Sequence, residues 1–143
     1  MARAIPPAHR PWSPALQHQF HRLVGRDEGI GLVVVLGHEG CGAVGAARSV
    51  VDDGNLPTGH VGDLVQHVIP SVLSAREAGR LSTDDIEVEH VIRTIDVLLE
   101  HSTSIADRVT DGRAAVVGMR YRLAEGVADL VAARGLPLEI RTA

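Results

Sequence analysis

Residues 37 to 45 read Gly-His-Glu-Gly-Cys-Gly-Ala-Val-Gly, and two of them, His38 and Cys41, are of types that bind metals. They stand three positions apart across a tight turn, so an imidazole nitrogen and a thiolate can converge on one ion. Zinc takes that mixed pair at about 2.0–2.3 Å. Gly37, Gly40 and Gly42 would let the backbone crowd a metal or small anion where a Cβ would clash. Cys41 is the only cysteine in the chain. An intrachain disulfide is therefore excluded, as is any closed zinc site needing two thiolates from one chain. Catalytic zinc sites carry three protein ligands plus water, so His38 and Cys41 make an incomplete set. Further donors exist in His18 and His21, spaced i, i+3 on an expected helix, in His9 and His60, and in Asp52, Asp53 and Asp63. Nothing in their spacing brings them to Cys41.

The elements around this segment explain how the pair would be held. Leu32-Val33-Val34-Val35-Leu36 is the pattern of a strand buried on both faces of a parallel sheet. The glycine-rich turn follows that strand and opens a helix over Ala43 to Val51, where α/β folds place ligands. Cys41 lies near the helix N-terminus, whose dipole and free N–H groups suit an anionic ligand. Before the strand, residues 1–12 read as an irregular arm, and Ser13-Pro14 opens a helix carrying Leu16, Phe20, Leu23 and Val24. After it, Val61, Leu64, Val65, Val68, Ile69, Val72 and Leu73 keep helical spacing, with a kink or restart expected at Pro70. Asp84 and Glu87 suggest a capping box. The stripe Val88, Val91, Ile92, Ile95, Leu98 and Leu99 follows as a third amphipathic helix. A shorter helix near Ile105 to Val109 ends at Asp111-Gly112, and Ala114 to Met119 reads as a second buried strand. Beyond Tyr121, the spacing of Leu123, Val127, Leu130 and Val131 favours a helix to Arg134 and a last strand over Leu136 to Ile140. Strands separated by helices indicate one α/β domain over residues 1–143, a parallel-core sheet flanked by helices.

Composition sets the outer limits. With 143 residues, 45% hydrophobic and a net charge of −4, the chain fits one domain and not a disordered segment. There is no basic surplus to neutralise phosphates, and three aromatic residues give no stacking platform, so a nucleic-acid partner is not expected. All fourteen cations are Arg, which excludes lysine Schiff-base chemistry and the lysine-bearing phosphate loop. The longest apolar run, Ile30 to Leu36, is far short of the roughly 20 residues that cross a bilayer. No secretory signal opens the chain, and a cytoplasmic setting is the expectation.

Gly37-His38-Glu39-Gly40-Cys41-Gly42-Ala43, placed after its β-branched run, resembles the second zinc-ligand motif of the β-class carbonic anhydrases. The likeness continues through Glu89-His90-Val91 to Leu99 and through Arg113 to Tyr121, covering roughly residues 30 to 126. It implies His38 and Cys41 as zinc ligands, and zinc-activated water attacking carbon dioxide to give bicarbonate. It also implies a homodimer or higher homo-oligomer, and a turn at Gly126 followed by a strand. Parts of the family pattern are missing. The earlier Cys-x-Asp-x-Arg motif, which supplies another thiolate and an Asp/Arg pair at the open coordination position, has no counterpart here. No catalytic residue is therefore assigned. The family's Asn is His90, and its Tyr-Asp pair is Tyr121-Arg122. The expectation is a member shortened at its N-terminal side, with little or no activity of its own.

Two other classes of function share these residues. Gly40-Cys41-Gly42-Ala43-Val44-Gly45 matches GxGxxG literally, but no second strand ending in an acidic residue follows at the distance dinucleotide binding requires. A non-catalytic assembly module would instead use the apolar helix surfaces, Val97, Leu98 and Leu99 among them, to cover a partner chain. The simple readings of the remaining polar residues are surface ones: His67 on a helix flank, His90 and Arg93 on a polar helix face, Asp84-Asp85 as a cap.

Overall fold

The β-branched run does form a strand. In the computed structural model, which describes residues 31–136, β1 spans Leu32–His38 and so carries His38 at its carboxyl end. Four helices follow: α1 (Gly42–Asp53), α2 (His60–Glu77), α3 (Thr83–His101) and α4 (Thr103–Thr110). The chain then returns as β2 (Ala115–Arg122) and turns back as β3 (Val127–Arg134). The sheet order is β1-β2-β3. β1 and β2 are parallel, in a register that sets Gly37 beside Arg120 and His38 beside Tyr121, while β2 and β3 are antiparallel. A parallel pair needs a long crossover, and the helices supply it. The α/β expectation holds, with a mixed sheet whose parallel pair carries His38 at its edge.

Two apolar clusters hold these layers. Val44 and Ala47 of α1, Val65, Val68, Val72 and Ala75 of α2, and Ile86 of α3 pack helix on helix. Ile95, Ile105 and Val116 form the second cluster, with Val33, Val35 and Ala132 against them, and join α3 and α4 to the sheet. Val91 of α3 is buried against the sheet. A Cβ added at Gly118 would come within 2.6 Å of it, so α3 lies on bare backbone at the middle of β2.

Four expectations need correction. First, β1 is not buried on both faces: Leu32, Val34 and Leu36 are 52%, 49% and 61% exposed, alternating with half-buried Val33 and Val35. Among the described residues β1 is an edge strand, and α3 and α4 meet only its inward face. Second, the segment after Tyr121 is a turn and then β3, not a helix to Arg134. A bulge explains the misleading spacing. Gly118 pairs with Ala132 but Met119 with Leu130, so Val131 is an extra residue that breaks the two-residue alternation. Third, the capping box of α3 is Ser82 with Asp85, not Asp84 with Glu87. Hydrogen bonding from the Ser82 hydroxyl is the main cause holding the Asp85 carboxyl below the usual carboxylate range. Fourth, α2 does not restart at Pro70, since it is helical from His60 to Glu77. Buried Val68, Ser71 and Val72 hold the turns on either side of it. The helix expected from Ser13, the arm over 1–12 and most of the strand expected at 136–140 lie outside the described residues.

Candidate metal centre

His38 is the last residue of β1 and Cys41 is the N-cap of α1, so strand end and helix start are separated only by Glu39 and Gly40. That reversal needs Gly40, which has φ +66°, a conformation costly for residues with a Cβ. Gly37 is required for a different reason: a Cβ there would stand 2.5 Å from a Val91 methyl of α3. At Gly42 an added Cβ would meet nothing within 4 Å, so space gives no reason for a glycine there.

Backbone bonds pin the turn from several sides. Glu39 N–H donates to the Tyr121 carbonyl at 2.9 Å, and the Glu39 carboxylate accepts from Leu123 N–H at 3.0 Å. Cys41 N–H donates to Glu87 Oε1 at 3.0 Å, across 46 residues of sequence. The thiol of half-buried Cys41 makes no capping bond to α1. His38 is exposed, and its Nδ1 lies 3.0 Å from the Glu39 carbonyl. A carbonyl only accepts, so Nδ1 carries the proton and, in the neutral ring, Nε2 keeps its lone pair. This is the tautomer of a metal-ligating histidine whose other nitrogen is held by backbone. The donors thus fit zinc in type. In number they are two, and among the described residues no group of three or more His, Cys, Asp or Glu side chains gathers as a metal cluster.

Among the described residues the other donors considered from sequence do not gather with this pair. Asp52 pairs with Arg76 and Arg48. His60 and Asp63 stand 3.9 Å apart on the exposed start of α2, and His67 is exposed on the same helix. His9, His18 and His21 lie outside the described residues. His90, placed on a polar helix face from sequence, is half-buried: its Nδ1 meets the hydroxyl of fully buried Ser71 at 3.0 Å between α2 and α3. Burial, aided by the nearby Arg93 charge, pushes the His90 imidazole below the ordinary histidine range.

Sequence reasoning missed two residues of the turn's support, Glu87 and Arg120. Glu87 is only 3% exposed. Its second oxygen accepts from Arg120 Nε at 2.9 Å, with Arg120 Nη2 at 2.8 Å. Arg120 also reaches Asp84 Oδ1 at 2.9 Å. Desolvation works against the Arg120 charge, but the hydrogen bond to Glu87 and the charges of Asp84, Glu87 and Glu39 outweigh it, raising its pKa. The i, i+3 spacing of Asp84 and Glu87 imitated a cap. The available signal was an acid adjoining Ile86 and Val88 on the flank of an apolar stripe.

A family model described as carbonic anhydrase matches residues 26–128. Over 99 residues the chain is 46% identical to Carbonic anhydrase 2 of Mycobacterium tuberculosis (strain ATCC 25618 / H37Rv), covering 69% of this chain and 48% of that protein. It is equally similar to Carbonic anhydrase of Mycolicibacterium smegmatis (strain ATCC 700084 / mc(2)155), 46% identical over the same shares. The chain therefore spans about half the length of the curated relatives it matches. Among solved structures, the β-carbonic anhydrase CcaA shares the fold with a TM-score of 0.63 at 24% identity, over 90% of this chain and 66% of that one.

Proposed function

From the premise that this chain belongs to the β-class carbonic anhydrase family, we propose that His38 and Cys41 are two ligands of a zinc centre for the interconversion of carbon dioxide and bicarbonate. The observation that carries this reading is the His38 ring, held through Nδ1 by the Glu39 carbonyl beside the Cys41 N-cap. Zinc, when bound there, supplies the Lewis acidity for hydration. The chain's own residues supply the rest. Gly40 reverses the backbone, Gly37 seats β1 on α3, and the Glu39 and Cys41 amides tie the turn to β2 and α3.

Two donors leave the centre one protein ligand short of a catalytic zinc site. No third ligand gathers with this pair among the described residues, and the 143-residue chain by itself hydrates carbon dioxide slowly or not at all. Metal analysis and stopped-flow hydration test both statements. The expected result is bound zinc that Cys41→Ser removes, with hydration near the uncatalysed rate. Rapid hydration abolished by Cys41→Ser would overturn the low activity, and a zinc-free chain would overturn the metal centre.

A zinc-free chain would favour a second reading, an assembly module that keeps the fold without the metal. Exposed Leu32, Val34 and Leu36 support it. Under either reading the partner assigned is another copy of this chain. No helix among the described residues is long and apolar enough to cross a membrane, and the setting we assign is the cytoplasm.

A further inference from the structure

Burying a carboxylate in an apolar layer costs free energy unless each oxygen finds a donor. Glu87 lies on α3 between buried Ile86 and half-buried Val88, where an apolar side chain would extend the packing at no such cost. It does not cap α3, because Ser82 and Asp85 do. Its two oxygens are instead divided between two elements. Oε1 takes the amide of Cys41, and Oε2 takes the Arg120 guanidinium of β2. Arg120 is itself buried, and its register partner is Gly37, the residue before His38. One buried ion pair therefore touches the backbone on the cysteine side of the turn and the strand beside its histidine side.

We propose that Glu87 is a positioning residue for the metal centre, fixing the Cys41 backbone relative to His38, with Arg120 locking the Glu87 carboxylate in place. The proposal rests on the reading of His38 and Cys41 as metal ligands. Its logic is that of supporting-shell groups around metals, whose removal typically costs about 10- to 100-fold in affinity. The cost arises because an unheld turn must be ordered each time the ion binds.

The test uses the full chain, zinc titrated against a competing chelator, and amide hydrogen exchange, in the parent, Glu87→Leu and Glu87→Gln. Glu87→Leu keeps the volume and removes both acceptors. Glu87→Gln keeps one oxygen for the Cys41 amide and sets an NH2 against Arg120. The expected result is zinc affinity lower by about 10- to 100-fold in Glu87→Leu and by less in Glu87→Gln. The Cys41 amide exchanges faster in the same order, while the Val116 and Val117 amides of β2 keep their protection. Unchanged zinc affinity together with an unchanged Cys41 amide overturns the proposal. So does a loss of protection spread evenly over β2, which marks a purely structural role. If Glu87→Leu fails to fold, Glu87→Gln decides by the same two readouts. If the parent itself binds no zinc, the metal reading fails, and the claim that Glu87 fixes the turn is judged on the Cys41 amide alone.

Discussion

The chemistry of the turn comes down to which nitrogen of His38 is free. The contact between Nδ1 and the Glu39 carbonyl at 3.0 Å predicts the Nδ1-protonated tautomer in the neutral ring, and nitrogen chemical shifts of His38 check it. An Nε2-protonated ring would remove the main support for metal binding. His90 gives a second prediction, on stability. Its folded-state pKa is lowered by burial, so between that value and the unfolded value of about 6.5 the unfolded chain binds the extra proton. Stability should therefore fall as pH drops below about 6.5 and level off once pH passes the folded pKa. Denaturant unfolding at several pH values should show this slope in the parent and lose its His90 part in His90→Gln. A slope unchanged by the substitution would place the titration elsewhere. The difference in legibility between the two histidines is physical. That His38 and Cys41 lie close together was readable because only Glu39 and Gly40 separate them in sequence. The surroundings of His90 depend on Ser71, which lies 19 residues away on another helix.

At the scale of elements, the sheet and α3 meet through absent side chains. Cβ atoms added at Gly37 and Gly118 would stand 2.5 and 2.6 Å from the two methyls of Val91, and at Gly118 also 2.7 Å from Ile95. Gly118→Ala should destabilise the fold by about 1–3 kcal/mol through overpacking, measured by urea denaturation. Val91→Ala in the same chain should recover part of that loss, giving a double-mutant cycle that is not additive. An additive cycle would mean that the helix moves as a body instead of pressing through Val91. The order and type of the elements up to β2 were legible because each carries a clean period: a β-branched run, then apolar positions three and four apart. β3 was not, because the extra residue at Val131 shifts the strand's alternation and leaves Val127, Leu130 and Val131 at helical spacing. Exposure of β1 was equally hidden. A continuous apolar run looks the same whether its second face meets helices or some partner not described here.

For the molecule as a whole, that second face sets the expected association. Strand alternation puts Leu32, Val34 and Leu36 on the side away from α3 and α4, in register with Ala115, Val117 and Met119, and Leu130 pairs with Met119 in the next strand. His38 closes the same row, so the turn from His38 to Cys41 sits at the rim of an apolar surface. Ala115 and Val117 are buried in these rows, but Leu32, Val34, Leu36 and Leu130 remain 41–61% exposed, and exposed apolar side chains grouped on one face favour association. The three strands offer only roughly 300 Å² per copy, by strand length and spacing. Stable interfaces bury about 800 Å² per partner, so pairing through the sheet face alone should be weak and concentration-dependent. Sedimentation of the chain across a range of concentrations should show a monomer in exchange with a larger species. Val34→Glu should move that equilibrium to monomer with helical content unchanged, because Val34 has no part in the packing of Ile95 and Ile105. A parent that stays monomeric at high concentration would remove the homo-oligomer from the functional reading. Association that survives Val34→Glu would move the contact to another surface, such as the exposed Val61 and Leu64 of α2.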